Sequence, residues 1–298
     1  MISKIYKFRS VNTNNLTALS SYHLWFSSLP DFNDPFEGEY AINETLSSED
    51  EAFLIEKVTR ISQGVDPDSN NYYNTLERLD VDPESDTLMT DLGIAFAKDD
   101  IHNLLKILHN SKCISFSAKT NQHDPLYENL LWAHYADGLR GYCLVFDYKK
   151  LSEYFYHSIK ESIRPIQVSY QKKPKELLIS NFIRSKSFHN DTDISYIQTL
   201  TETMATKSSS WSYENELRYI ALKGQNVYTY PPECLKSIII GEKMSEDQIK
   251  LLKKVALSVH PNISIKYATI EKNTYTIKIV NALHNKAISA DAKSRAAE

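Results

Sequence analysis

Glu214 and Glu216 are the two carboxylates whose spacing in this sequence best suits chemistry, because paired carboxylates transfer protons and stabilise developing positive charge. We predict that they lie on a strand from Trp211 to Leu222. Side chains alternate between the two faces of a strand, so Glu214, Glu216 and Arg218 are expected to share one face. The alternative is a solvated strand edge carrying an ion pair worth under about 1 kcal/mol.

Two serines, Ser115 and Ser117, flank Phe116 at the end of a predicted strand over Lys112–Ser117. Residues two apart on a strand point to the same face. Small hydroxyls in that position could orient a neighbouring carboxylate or bind a sugar hydroxyl. The alternative is an ordinary, partly exposed strand end.

A loop with the sequence FNDPFE, Phe32 to Glu37, follows the strand predicted over Tyr22–Ser27. Asn-Asp-Pro favours a turn in its own right. The functional interpretation places Asn33, Asp34 or Glu37 at the lip of a cleft.

His134 and Tyr135 lie in a helix that we predict to begin at Asp124-Pro125 and to end near Ala136. A single histidine on such a helix is more often packed and hydrogen-bonded than catalytic. The sequence contains neither the GxSxG of a serine esterase nor an HExxH pair, so it favours neither that enzyme class nor a metal site.

The composition predicts a folded protein, and it neither supports nor excludes a nucleic-acid substrate. The chain has 298 residues, 42% of them hydrophobic, and a net charge of −4. A basic surface is therefore not a global property of the chain, although the net charge does not exclude a local basic groove. No GxGxxG or P-loop glycine pattern is present.

The cysteines and the hydropathy predict a cytoplasmic location. Cys113, Cys143 and Cys234 form no CxxC pair, which favours neither a disulfide framework nor zinc. No stretch approaches the roughly 20 apolar residues of a membrane helix, and the first residues lack an apolar signal core. We therefore expect no membrane partner.

The order of the predicted elements indicates a mixed α/β (α+β) fold. We predict one domain over residues 1–284 with a helical insertion at about 48–110 and a flexible tail at 285–298. Within the insertion, Ser48 and Glu51 have the spacing of a capping box.

The motifs, in their order along the chain, resemble the bacterial family known as domain of unknown function 2971. The resemblance covers about residues 4 to 240. It rests on these motifs: Tyr6-Lys7-Phe8-Arg9, Trp25-Phe26-Ser27, Phe32-Asn33-Asp34-Pro35-Phe36, Ser115-Phe116-Ser117, Trp132-Ala133-His134-Tyr135 and Trp211 to Arg218.

A second resemblance is to ADP-ribosyltransferases marked by Arg, Ser-Thr-Ser and Glu-x-Glu. Arg9, the two serines and the two glutamates occur here in that order, but Phe116 replaces the threonine and the segment from Ser117 to Glu214 is long. The resemblance implies two small packed sheets with a helical insertion. It also implies NAD as a substrate and no metal.

This resemblance assigns roles to the residues. Glu216 would stabilise the oxocarbenium-like ribose, and Glu214 would orient or deprotonate the acceptor. Arg9, unless it is an ordinary strand-end residue, would bind the pyrophosphate, and Ser115 would hold Glu216 or the ribose. An aromatic ring of Phe32, Phe36 or Tyr135 would stack on nicotinamide. The other residues assigned to NAD binding are Tyr6, Ser117, Asn33, Asp34, His134 and Arg218.

The resemblance thus implies transfer of ADP-ribose from NAD to a protein or nucleic-acid acceptor. The family's bacterial setting is consistent with a toxin or phage-defence effector that has an antitoxin or defence partner. The alternatives are an NAD glycohydrolase and a non-enzymatic module that binds a nucleotide or a partner; a nuclease ranks below these. We expect Arg9, Ser115 and Glu216 to converge on one cleft. We also expect Glu216→Gln to abolish activity with the melting temperature nearly unchanged.

Overall fold

Strands and helices are interleaved along the chain, which confirms the predicted α+β class. The structure, a computed structural model, describes residues 2–65, 76–77, 89–159, 163–185, 188, 196–222 and 224–281. No helix within these ranges is long and apolar enough to cross a membrane. The predicted tail at 285–298 lies outside them.

The bounds of the elements follow chain order. The strands are β1 (Lys4–Arg9), β2 (His23–Trp25), β3 (Tyr40–Asn43), β4 (Lys112–Ala118), β5 (Tyr142–Asp147), β6 (Ile163–Gln167), β7 (Ser169–Gln171), β8 (Lys175–Leu178), β9 (Thr206–Ser208), β10 (Glu216–Ala221), β11 (Val227–Thr229), β12 (Leu235–Gly241), β13 (Ser264–Ile270) and β14 (Ile277–Asn281). The helices are α1 (Thr13–Ser20), α2 (Ser48–Ser62), α3 (Met89–His109), α4 (Asn129–Tyr135), α5 (Tyr148–Ser158), α6 (Ile179–Ile183), α7 (Ile197–Leu200) and α8 (Glu246–Val259).

The chain divides into two units. Unit 1 comprises Met1–Asp31, Ser111–Tyr170 and Ser209–Glu298, and unit 2 comprises Phe32–Asn110 and Gln171–Ser208. The helical insertion predicted at about 48–110 lies within unit 2. The prediction that residues 1–284 form one domain stays a prediction.

The sheet of unit 1 has eight strands in the order β14-β13-β12-β5-β1-β4-β10-β6. It is a single hydrogen-bonded sheet, where two small packed sheets were predicted. Its two parts, of five and three strands, are joined by the pairs Ile5 with Ala118 and Tyr6 with Ser117. By contrast, β1 pairs with β5, and β4 with β10, over six residues each. These two joining pairs depend on register, which local periodicity does not reveal.

Both faces of this sheet are covered by apolar side chains. Phe116, Phe146 and Tyr219 belong to the core on one face, whereas Tyr6 and Trp132 belong to a cluster on the other. A strand that is buried on both faces carries a nearly continuous apolar run. The first five residues of β5 are all buried for this reason.

The helix predicted from Asp124 to Ala136 is interrupted. A 3₁₀ turn, Pro125–Tyr127, is capped by Asp124. Glu128 then adopts an extended conformation (ψ 111°) and caps α4. The two carboxylates therefore stabilise two short helices instead of one long helix.

Glycine is required where α4 leads into β5. A Cβ on Gly141 would lie 2.2 Å from the carbonyl oxygen of Arg9 and 2.9 Å from Ala136. The turn therefore packs directly against the backbone of β1, which fixes the position of Arg9.

In unit 2, α2 packs against α3 through an apolar cluster that includes Val58 and Phe96. The capping box of α2 is formed by Ser47 and Asp50. The predicted pair, Ser48 and Glu51, lies one residue further along the chain. Both pairs have the three-residue spacing of a capping box, so spacing alone does not distinguish them.

Candidate active site on strands β1, β4 and β10

Glu216 and Arg218 form a bidentate ion pair inside the sheet. Arg218 Nε lies 2.8 Å from Glu216 Oε1, and Arg218 Nη2 lies 3.1 Å from Glu216 Oε2. The two residues are 4% and 0% exposed. They share one face, as predicted. The solvated-edge alternative is wrong, because β10 is paired on both sides, with β4 and β6.

Glu214 does not belong to this strand. It ends a 3₁₀ segment, Ser209–Glu214, and Asn215 then takes a left-handed conformation with φ of 42°. The prediction that Glu214 alternates with Glu216 along one strand was therefore wrong. Asparagine tolerates this conformation better than most residues do. The pattern of apolar residues does not predict a left-handed residue at this position.

Asn215 is fixed against the end of β4. Its Nδ2 donates to the carbonyl oxygen of Ala118 at 2.6 Å, and its own carbonyl accepts from the Ala118 amide at 2.8 Å. The two glutamates thus flank a turn that is hydrogen-bonded to the end of β4, the strand that carries Ser115 and Ser117. Tyr135 donates its hydroxyl hydrogen to Glu214 Oε1, which links that carboxylate to the end of α4.

Tyr170 is a site neighbour that the sequence analysis missed. Its hydroxyl accepts a hydrogen bond from the Glu216 amide at 2.8 Å. Burial, followed by the charge of Glu216, raises the pKa of Tyr170. No local signal distinguishes this tyrosine, since the contact spans 46 residues of sequence.

The serines of β4 lie beside the ion pair. In the ladders, Ser117 pairs with Tyr6 and with Glu216, while Ser115 pairs with Arg218. The Ser115 Oγ atom is buried and has no hydrogen-bond partner among the described residues. An unsatisfied hydroxyl of this kind suits a ligand that supplies the missing partner.

Lys7 is the second residue that the sequence analysis did not assign. Its Nζ donates to the Ser115 carbonyl oxygen at 2.5 Å and lies 5.7 Å from the centroid of the Phe116 ring. Burial, and then the positive charge of Arg9, lower the pKa of Lys7 to about 7, although Glu216 and Glu214 act in the opposite direction. The sequence could have identified Lys7 as a neighbour of Arg9, because residues two apart on a strand lie on the same face.

Arg9 is part-buried, and its guanidinium takes part in no hydrogen bond or ion pair of the described residues. Burial lowers its pKa, and Tyr142 partly opposes that change. Lys7 and Arg9 are therefore two repelling cations in a partly desolvated position. Such an arrangement favours a bound anion, which would relieve both the repulsion and the cost of burial.

The predicted convergence of Arg9, Ser115 and Glu216 stays a prediction. Lys7 contacts the Ser115 backbone and interacts electrostatically with Arg9 and Glu216. Strand alternation, however, places Lys7 and Arg9 on the face opposite to Tyr6, whose ladder partner Ser117 pairs with Glu216. Tyr6 is only 2% exposed and belongs to the apolar cluster. Its burial, followed by the nearby Asp124, raises its pKa. The assignment of Tyr6 to NAD binding stays a prediction.

Comparison with known proteins identifies the segment that carries much of this site. Residues 131–219 match the family model DUF2971, described as a protein of unknown function. The predicted family is thereby confirmed over that segment, while the resemblance to ADP-ribosyltransferases stays a prediction. No curated protein and no solved structure matches the chain.

The DUF2971 segment also carries a cluster of aromatic rings beside Glu214. His134 is exposed, and its Nδ1 lies 2.9 Å from the Tyr213 hydroxyl. The rings of Trp211 and Tyr213 lie 6.5 and 5.9 Å from His134. Burial, and then the charge of Glu214, raise the pKa of Tyr213 to about 12.

The FNDPFE loop precedes the DUF2971 segment and belongs to unit 2. Asp34 is 4% exposed, and its Oδ1 accepts from the Phe36 amide at 3.0 Å. Asn33 and Phe36 are exposed. The assignment of Asn33, Asp34 and Phe36 to NAD binding stays a prediction. Within the described residues, no group of three His, Cys, Asp or Glu side chains is placed to hold a metal ion.

Proposed function

We propose that this protein is an NAD-dependent ADP-ribosyltransferase whose site lies on β1, β4 and β10. The observation that carries the proposal is a pair of repelling cations on β1, Lys7 and Arg9, of which Lys7 interacts electrostatically with the buried carboxylate of Glu216. A dinucleotide supplies the two chemical groups that fit them: a pyrophosphate for the cations and a ribose that becomes positive for the carboxylate.

The reaction breaks the bond between nicotinamide and ribose. The bonding electrons leave with nicotinamide, and positive charge develops on the ribose. The bidentate contact with Arg218 orients the Glu216 carboxylate. Glu216 then stabilises the ribose cation through its fixed negative charge.

The acceptor must lose a proton as it bonds to the ribose. Glu214 takes that proton, and its hydrogen bond with Tyr135 fixes the orientation of the carboxylate. The unpartnered Ser115 hydroxyl donates to a ribose oxygen. Each step uses a group already held within the described site.

Incubation of the purified protein with adenylate-labelled NAD and a bacterial lysate tests this proposal. The expected result is nicotinamide release together with a labelled macromolecule. Glu233→Gln is a suitable control for the Glu216→Gln variant, since Glu233 is an exposed glutamate of the same unit. A folded protein that releases no nicotinamide and labels nothing would refute the proposal. Free ADP-ribose without labelled macromolecule would identify a glycohydrolase instead.

A module that binds a nucleotide without turnover is the second candidate. The burial of Glu216 favours it, because a carboxylate that is 4% exposed and fully engaged with Arg218 has a structural role of its own. Calorimetry with NAD distinguishes the two, because the binding module gives saturable heat and no product.

We also propose that the protein acts in a reducing cytoplasm. The support is that Cys113, Cys143 and Cys234 are buried thiols that form no disulfide within the described residues. A toxin or phage-defence role, with a protein or nucleic-acid acceptor and an antitoxin or defence partner, remains part of this proposal. Its support is the bacterial setting of the family.

A further inference from the structure

Unit 2 contains a pocket of its own, with a volume of about 300 Å³. Such a volume falls at the lower end of the range for small-molecule sites and is larger than a single phosphate needs. Its lining residues are Phe36, Glu39, Gln171, Lys172, Lys173, Pro174, Thr206, Lys207 and Ser208.

The charged lining of this pocket is mainly basic. Lys172 and Lys173 are exposed, and neither forms an ion pair within the described residues. Lys207 is nearly buried, with its Nζ 3.9 Å from Glu37 Oε2. Glu39 is the one acidic residue of the lining. Lys172 and Lys173 therefore offer positive charge to an anion that enters the pocket.

Phe36 presents an exposed ring to the same pocket. It is 68% exposed, which is costly for a phenyl group in water. The turn beneath it is ordered: Asp34 Oδ1 accepts from the Phe36 amide, and the Glu37 amide donates to the Asp34 carbonyl at 3.1 Å. The ring is thus held by the backbone rather than by apolar packing.

We propose that this pocket binds single-stranded nucleic acid, with a base stacked on Phe36 and its phosphates at Lys172 and Lys173. Aromatic rings combined with flexible cations are the usual elements of such sites, because every base has a face to stack. An acidic peptide would use the lysines but gains little from an exposed ring. The proposal assigns Phe36 to a nucleic-acid base instead of nicotinamide, and it holds whether or not the protein transfers ADP-ribose.

Fluorescence anisotropy with a labelled eight-nucleotide oligothymidylate, without NAD and at about 50 mM salt, tests the proposal. Phe36→Ala should weaken binding about 10-fold or more. Lys172→Gln/Lys173→Gln should weaken it and should also reduce the slope of log affinity against log salt by roughly 1.4, since each single-strand phosphate contact contributes about 0.7.

Matched controls lie in unit 1. Tyr156 is a 76% exposed ring, and Lys149-Lys150 is an exposed lysine pair. Tyr156→Ala and Lys149→Gln/Lys150→Gln should bind like the wild type. The proposal is overturned if the wild-type protein does not bind, or if the controls lose as much affinity as the pocket variants. It is also overturned if thymidine monophosphate or an acidic peptide binds as tightly as the oligonucleotide.

Discussion

At the scale of single residues, Glu216 and Arg218 each make the burial of the other possible. Both are almost fully enclosed, and they meet through two charge-assisted hydrogen bonds. Removal of one partner of a buried pair costs about 3–5 kcal/mol, because a charge is left without compensation. The same contact therefore serves the stability of the fold and the orientation of the carboxylate.

Glu216→Gln should lower the rate of nicotinamide release by about 10²–10³, which is typical for the loss of one electrostatic contact to a transition state. The sequence by itself suggested an unchanged melting temperature. The buried pair changes that expectation: the variant should also lose about 3–5 kcal/mol of unfolding free energy. Single-turnover kinetics and denaturant titration measure the two effects separately.

The double variant Glu216→Gln/Arg218→Met is the control for this prediction. Replacement of both members of a buried pair by uncharged groups is often neutral in stability, so the double variant should recover most of the lost unfolding free energy. Activity should stay lost. A folded Glu216→Gln protein with full activity would contradict the proposed role.

Lys7 should make stability depend on pH. Its pKa is lowered from 10.5 to about 7, so between these values the unfolded chain binds more protons than the native protein. Stability therefore rises with pH over this window, by up to about 1.4 kcal/mol per pH unit, and the cost of burying the charge is fully present below pH 7. Denaturant unfolding from pH 6 to pH 9 should show this rise.

Lys7→Met should flatten that dependence, because the titrating group is gone. Lys4→Met is the matched control, since Lys4 is exposed on the same strand. The prediction is wrong if the difference in stability between Lys7→Met and the wild type is the same at pH 6 and at pH 9.

At the scale of elements, the turn at Asn215 determines where Glu214 lies relative to β10. It joins a 3₁₀ segment to the strand through a left-handed residue that is hydrogen-bonded to Ala118. A residue with a Cβ and no local hydrogen bond is strained there by about 1–2 kcal/mol, whereas glycine is not.

Asn215→Ala should therefore destabilise the protein more than Asn215→Gly does. This order is the reverse of that expected inside a regular helix or strand, where glycine is the more disruptive residue. The midpoints of urea unfolding of the two variants decide the question. An alanine variant that is more stable than the glycine variant would show that the left-handed turn is not maintained.

At the scale of the whole molecule, the three cysteines report on the unfolding of unit 1, to which all of them belong. Cys113, Cys143 and Cys234 are each at most 1% exposed. Burial raises the pKa of Cys143 and brings that of Cys234 to about 11, which keeps both as thiols. Their reaction with a thiol reagent requires the protein to open.

A disulfide reagent should therefore find no rapidly reacting thiol in the native protein and all three after denaturation in guanidinium. Absorbance of the released thiolate counts them directly. One fast thiol in the native state would show that the segment carrying that cysteine opens far more readily than the residues packed around it.

The sequence by itself indicated β4 and β5 and the resemblance of residues 131–219 to the DUF2971 family, but it began the strand of Glu216 at Trp211, five residues early. Alternation and apolar content are local properties, and they placed β4, β5 and the shared face of Glu216 and Arg218. The capping residues were found to within one position for the same reason.

Only the tertiary structure decided how those pieces meet. The bond from Lys7 to Ser115 joins residues 108 apart, and its existence depends on the register by which β1 meets β4. The left-handed Asn215 and the separate pocket around Phe36 likewise arise from chain segments distant in sequence. Local patterns encode which side chains share a face, whereas register, turns and burial decide which faces approach one another.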